Sequence, residues 1–101
     1  MKPLRPEQLK GLRSQLPGWS RRGAVIRRTF EFIDFVAALR FVNAVGRAAE
    51  AAQHHPDIDI RWNRVRLALT THDAGGLTQK DLDLAAVCDR LVARGERSRR
   101  S

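Results

Sequence analysis

Residues 57–70 constrain the fold more than any other part of the chain. Ile58, Ile60 and Trp62 alternate with Asp57, Asp59 and Arg61; beyond Asn63 and Arg64 the alternation resumes, with Val65, Leu67 and Leu69 against Arg66, Ala68 and Thr70. A side-chain period of two places each set on one face of a strand, and Asn63 and Arg64 are expected at the turn between them. The result is an antiparallel hairpin with one apolar face. A hairpin alone is marginal in water, so that face requires both further strands and a cover. A second alternation supplies the strands: Ile26, Arg28, Phe30 and Phe32 oppose Arg27, Thr29 and Glu31, with Trp19 to Arg22 as a short preceding strand and Gly23 at the turn.

The cover is helical. Leu9, Leu12 and Leu16 recur at helical spacing behind Pro6, a residue suited to a first turn, and Pro17-Gly18 ends that segment. Asp34 is placed to cap a long helix whose apolar stripe is Phe35, Ala38, Leu39, Val42, Val45, Ala49 and Ala52. Pro56 disfavours helical geometry at His55 and stops that helix. Ala74-Gly75-Gly76 leads into a last helix, where Thr78 and Asp81 have capping-box spacing and Leu82, Ala85, Ala86 and Leu91 form the buried face. The order α-β-β-α-β-β-α gives an α+β fold, a four-stranded antiparallel sheet with three helices packed on one face. At 101 residues the chain supports one core, so residues 1–95 are expected to form a single domain and residues 96–101 a basic, disordered tail.

The formal charge of +8 is carried mostly by arginine spread along the chain, densest at Arg21-Arg22, Arg27-Arg28 and the C-terminal end. A basic protein can meet nucleic acid, but no helix-turn-helix, zinc-finger or RNP pattern accompanies the charge, and a solvated surface is the better reading. Cys88 is the one cysteine, so no internal disulfide forms; this fits a reducing compartment, and the residue reads as a small buried apolar group. No apolar run approaches the ~20 residues of a membrane helix, and no signal-peptide core follows the N-terminal Met-Lys-Pro-Leu-Arg-Pro. A cytoplasmic protein is expected.

All three histidines, His54, His55 and His72, fall within one window that also holds Glu50, Asp57, Asp73 and Asp81. Imidazole is the side chain that exchanges protons near neutral pH, so the window reads as an acid–base site. His54 and His55 end the long helix, where the carbonyl ends of the macrodipole favour a protonated ring. Glu50, four residues before His54, would lie one turn back on the same face and act in the same sense. His72 closes a strand, where it can converge with the helix end. The plainer alternatives are a helix-capping histidine, a solvated Glu50 and an Asp81 that serves only as the partner of Thr78. A zinc site from the three histidines is the sharp competitor. It is disfavoured because adjacent residues seldom point the same way and neither HExxH nor CxxC spacing is present.

The pattern Glu50-x-x-x-His54-His55-Pro56, then Trp62, His72 and Asp81, resembles the signature of the pterin-4a-carbinolamine dehydratases. Trp19, the Phe30-x-Phe32-x-Asp34-Phe35 run, Thr71-His72 and Gly76-Leu77-Thr78-x-x-Asp81 extend the likeness over nearly the whole chain, although Trp62 stands where tyrosine is common. The resemblance implies a lyase that eliminates water from a 4a-hydroxytetrahydropterin to give the quinonoid dihydropterin, within tetrahydrobiopterin recycling for aromatic amino acid hydroxylation. It implies His54, His55, His72 and Asp81 as catalytic residues, with His54 and His72 as acids and His55 binding substrate or acting as base. Glu50, His55, Pro56, Trp62 and Thr71 would line the substrate, and Glu50 and Asp81 would orient and charge the imidazoles. No metal or other cofactor is implied, since the elimination transfers no electrons. A homodimer or homotetramer and an aromatic amino acid hydroxylase are the partners it suggests, with nucleic acid and membrane not expected. Similar proteins also serve as a dimerisation cofactor for a homeodomain transcription factor or as an assembly chaperone for a carbon-fixing enzyme, so a non-catalytic binding module is the alternative.

Overall fold

A computed structural model describes the backbone of residues 2–100 and the side chains through Ala93. The elements are α1 (Pro6–Lys10), α2 (Leu12–Gln15), β1 (Ser20–Arg22), β2 (Val25–Glu31), α3 (Phe35–Ala52), β3 (Asp57–Arg61), β4 (Arg64–Leu69), a 3-10 turn (His72–Ala74) and α4 (Gln79–Arg100). The strands form one antiparallel sheet in the order β1-β2-β4-β3, as the α+β reading requires. The first helix differs from expectation. Gly11 breaks it into two short pieces, and Leu12 and Leu16 of the second reach the core. The expected disordered tail over 96–101 lies outside the residues whose side chains are described.

Ile26 and Phe30 of β2 and Val65, Leu67 and Leu69 of β4 present one face of the sheet to the helices, each 3% exposed or less. β2 and β4 occupy the middle of the sheet, with Ile26 opposite Leu69 and Phe30 opposite Val65. β3 lies at an edge, so its apolar residues are covered less fully than alternation alone suggests. Ile60 is half-buried, Ile58 is 39% exposed, and Trp62 has left the sheet for the hairpin turn at 67% exposure.

The side chain of Asp34 accepts from the Ala37 N–H at 2.8 Å and starts α3. The face of α3 that enters the core is Ala38, Phe41, Val45 and Ala49. Phe35, Leu39 and Ala52, expected inside, are exposed, and with Ile33 and Val36 the first two form an apolar flank at the solvent side. The helix is rotated so that Phe41 stacks on Phe30 and Phe32, with ring centroids 4.7 and 5.1 Å apart. One aromatic cluster thus determines the facing of α3.

Arg28 points toward the helices from a row of apolar neighbours, and its surroundings account for it. Its Nη1 donates to Asp89 Oδ1 of α4 at 2.7 Å, its guanidinium lies 4.4 Å above the Phe30 ring, and Trp19 Nε1 donates to the same Asp89 oxygen at 3.0 Å. Gly18 passes close by: a Cβ there would come within 2.7 Å of the Arg28 guanidinium.

Cys88 is fully buried in α4, and burial, with a smaller contribution from Asp89, pushes its thiol up to about 12. Only the thiolate attacks disulfide reagents. Native protein at pH 8 is therefore expected to leave Ellman's reagent unreacted until denaturant is added; rapid labelling of native protein would contradict this burial. Denaturant unfolding is expected to show Phe41→Ala losing roughly 3–5 kcal/mol, the usual loss for a buried phenylalanine, with Phe35→Ala below ~1 kcal/mol.

Candidate functional site

The histidine window begins where α3 stops. Gln53 takes the left-handed conformation (φ 53°, ψ 40°), and its N–H bonds the carbonyls of Ala49 and Glu50. The next N–H, that of His54, also returns to the Ala49 carbonyl, at 3.1 Å. This C-terminal turn breaks the helical register. His54 therefore swings inward and is 9% exposed, whereas His55 points to solvent. The expectation that Glu50 pairs with His54 one turn on is corrected accordingly. The Glu50 carboxylate meets His55 Nε2, because beyond Gln53 the four-residue spacing no longer marks a common face.

The partner of His54 is Asp81. After β4 the chain makes an isolated bridge between Thr71 and Gly76, enclosing the 3-10 turn His72–Ala74 and Gly75 in the left-handed region (φ 73°) that favours glycine. Thr78 then precedes α4, and Asp81 lies in the first helical turn, fully buried. The Asp81 carboxylate is engaged at both oxygens. Its Oδ2 accepts the Thr71 hydroxyl at 2.7 Å and the Thr78 N–H at 2.9 Å, while Oδ1 lies 2.5 Å from His54 Nε2. The expected capping box is thus half-realised. The carboxylate reaches back to the Thr78 N–H, but the Thr78 hydroxyl contacts Thr71 Oγ1, at 2.9 Å.

Counting protons orients the whole cluster. The one hydroxyl hydrogen of Thr71 is committed to Asp81, so Thr78 donates to Thr71. Imidazole is more basic than carboxylate, so the hydrogen between His54 and Asp81 belongs to Nε2. Nδ1 is the nitrogen of His54 left to meet anything else. An aspartate that fixes the tautomer of a histidine in this way is the arrangement used to hold a proton-transfer group in position. The Thr78 hydroxyl is the member that sequence spacing missed; the spacing identified Thr78 as a cap without showing where its side chain would turn.

Asp81 gathers His54 from the end of α3, Thr71 from the end of β4, and Thr78 beside α4. His72 follows Thr71 directly and is exposed, as is His55 on the other side of His54, with half-buried Pro56 next to it. Trp62 is not brought to this end of the chain. β3 runs between Pro56 and Trp62, and its five residues span about 16 Å at ~3.3 Å each. Among the described residues, no three of His, Cys, Asp and Glu are grouped to hold a metal ion; His54 faces Asp81 while His55 turns to Glu50. No helix among them is long and apolar enough to cross a membrane.

Replacing Asp81 by alanine strands a ring nitrogen, a hydroxyl and a backbone N–H in the interior. We expect a loss of roughly 2–4 kcal/mol, since each buried unpaired polar group costs about 1–3 kcal/mol. In wild-type protein, nitrogen-15 spectra are expected to show His54 bearing hydrogen on Nε2. A native His54 ring hydrogenated on Nδ1 alone would contradict the assigned donor order.

Comparison with known proteins now adds to the geometry. Residues 2–91 match the family model described as pterin 4 alpha carbinolamine dehydratase. A protein of Acidobacterium capsulatum named "Putative pterin-4-alpha-carbinolamine dehydratase" is 56% identical over 92 residues, covering 91% of this chain and 100% of its own length. One of the same name from Roseiflexus sp. is 60% identical over 77 residues, 76% of this chain and 83% of that protein. Among solved structures, the transcriptional coactivator/pterin dehydratase from Brucella melitensis superposes with a TM-score of 0.85 at 29% identity, covering 89% of this chain and 98% of that one. A pterin dehydratase-like protein, described as a RuBisCO assembly factor in the alpha-carboxysome, shares the fold at a TM-score of 0.61 and 19% identity, over 72% and 84% of the two chains. A match over most of the chain, relatives above half identity and a solved neighbour of the same architecture agree: the chain belongs to the pterin-4-alpha-carbinolamine dehydratase family.

Proposed function

We propose that this protein is a dehydratase that removes water from a 4a-hydroxytetrahydropterin, leaving the quinonoid dihydropterin. The observation that carries the reading is the buried Asp81 carboxylate, which holds His54 by Nε2 and ties it to Thr71, the residue before His72. Hydroxide is a poor leaving group, because water has a pKa of about 15.7. His54, in the doubly protonated form that carries a hydrogen on Nδ1 as well as on the Asp81-bound Nε2, and His72 are the two general acids of the proposal, each able to protonate the departing hydroxyl. As the carbon–oxygen bond breaks, the adjacent ring nitrogen loses its proton to His55, which Glu50 orients. The ring gains a carbon–nitrogen double bond, water leaves, and no electrons are exchanged with the protein. Pro56 and Thr71 flank the heterocycle in this reading, and no metal or redox cofactor takes part. Trp62 of the same chain stands outside this arrangement, at the far end of β3.

The proposed setting is tetrahydrobiopterin recycling in the cytoplasm, with an aromatic amino acid hydroxylase supplying the carbinolamine. A homodimer or homotetramer belongs to the same proposal. β3 pairs with β4 on one side only, and Ile58 is exposed at the open edge, where another copy could add a strand. One observation favours a second reading, an assembly or coactivator module. Ile33, Phe35, Val36 and Leu39 leave an apolar flank at the start of α3.

Stopped-flow dehydration of a chemically generated carbinolamine separates the two. Wild-type protein is expected to accelerate the reaction, and His54→Ala and His72→Ala each to lose roughly 10²–10⁴-fold, the range of a positioned general acid. A wild-type rate no faster than buffer would reject the dehydratase and leave the binding module.

A further inference from the structure

The helices cover one face of the sheet, and the opposite face carries the side chains that alternate with the core residues. On that face Thr29, Asp59, Arg61, Arg64 and Arg66 line a cleft of about 320 Å³. The register explains why they meet. Arg66 of β4 stands between Thr29 of β2 and Asp59 of β3, and Arg64 stands between Glu31 of β2 and Arg61 of β3. With strands ~4.8 Å apart and alternate residues ~6.6 Å apart along a strand, the three guanidinium groups arise from one small triangle.

Two features make this more than a solvated basic surface. First, Arg61 and Arg64 are direct cross-strand partners, an arrangement of like charges that weakens a sheet. Among the described residues neither Arg64 nor Arg66 forms an ion pair, although Glu31 lies in register with Arg64. Second, Arg61 is already oriented. Its Nε donates to Asp59 Oδ1 at 3.1 Å, which leaves the terminal nitrogens of the guanidinium for another acceptor. Among the lining residues three cations meet one carboxylate, Asp59, which is engaged in aiming one of them, while Glu31 stands beside Arg64 without pairing with it.

We propose that this cleft is a second binding site, one that takes an oligophosphate group such as pyrophosphate or the phosphate chain of a nucleotide. Planar guanidinium forks match phosphate oxygens in pairs, and the Thr29 hydroxyl supplies a neutral donor at the rim. A bound oligophosphate brings the negative charge that the Arg61–Arg64 pairing lacks. The site lies on the sheet face away from the helices, whereas Asp81 and its partners lie on the helix side. The inference is therefore independent of the dehydratase reading.

Titration calorimetry with sodium pyrophosphate at low salt tests it, using the full chain. Wild-type protein is expected to bind one equivalent. Arg64→Gln/Arg66→Gln should weaken binding by at least ~10-fold, the equivalent of losing one charge-assisted contact. Arg13→Gln/Arg47→Gln, which removes the same charge from exposed helical positions, should change it by less than about two-fold, as expected for screened distant charges. No saturable binding, or equal losses in both double variants, would overturn the proposal and leave only the general positive charge. A nucleoside diphosphate serves as the second arm: affinity equal to pyrophosphate assigns the cleft to the phosphates alone, and higher affinity assigns it to a nucleotide. Thermal melting gives a check that does not depend on affinity. Arg64→Thr should raise the melting temperature of ligand-free protein by relieving repulsion, and should abolish the increase that pyrophosphate produces in wild type. A lower ligand-free melting temperature would remove the argument from like-charge pairing.

Discussion

The Asp81 carboxylate joins parts of the chain that share little else. Fully buried, it receives a ring nitrogen from the end of α3, a hydroxyl from the end of β4 and an N–H from the start of α4. An ionised group inside a protein is tolerated only when its lone pairs are engaged, so the surrounding elements must arrive in register for the fold to close. The same constraint bears on the proposed chemistry. Because Asp81 holds one nitrogen of His54, the other is oriented in advance, and in the proposed dehydration little rearrangement of that ring would be needed.

Much of this was legible in the sequence, and the failures share one cause. Alternation in residues 57–70 and around Phe30 gave the strands, because a period of two is imposed by backbone geometry and read directly. Chemical type draws attention to the histidine window and Asp81, whereas Thr71 enters only through the family resemblance. What periodicity could not give was rotation and depth. Periodicity runs the stripe on α3 through Phe35 and Leu39, yet the helix turns to place Phe41 against Phe30 and Phe32, a packing contact outside the helix that its own repeat does not encode. Ile58 and Trp62 looked as internal as Val65 because alternation does not say which strand becomes an edge. Glu50 was assigned to His54 by a helical rule that ceases to hold once Gln53 adopts a left-handed conformation.

The two faces of the sheet divide the protein's chemistry. The helix side is apolar except where buried polar groups are paired, and there a histidine is aligned. The open side is arginine-rich and wet. Arg61, Arg64 and Arg66 gather there, separated from the buried histidine cluster by a layer of aliphatic side chains.

The contact between Gly18 and Arg28 has a consequence for how the first twenty residues are held. The guanidinium of Arg28 fills the space where any larger residue at position 18 would place its first carbon, and Asp89 together with the Phe30 ring keeps it there. With no side chain at position 18, the amino-terminal segment lies close to the sheet without displacing that guanidinium. An added methyl group there would displace the guanidinium from its place over the Phe30 ring and beside Asp89, the carboxylate to which the Trp19 indole also donates.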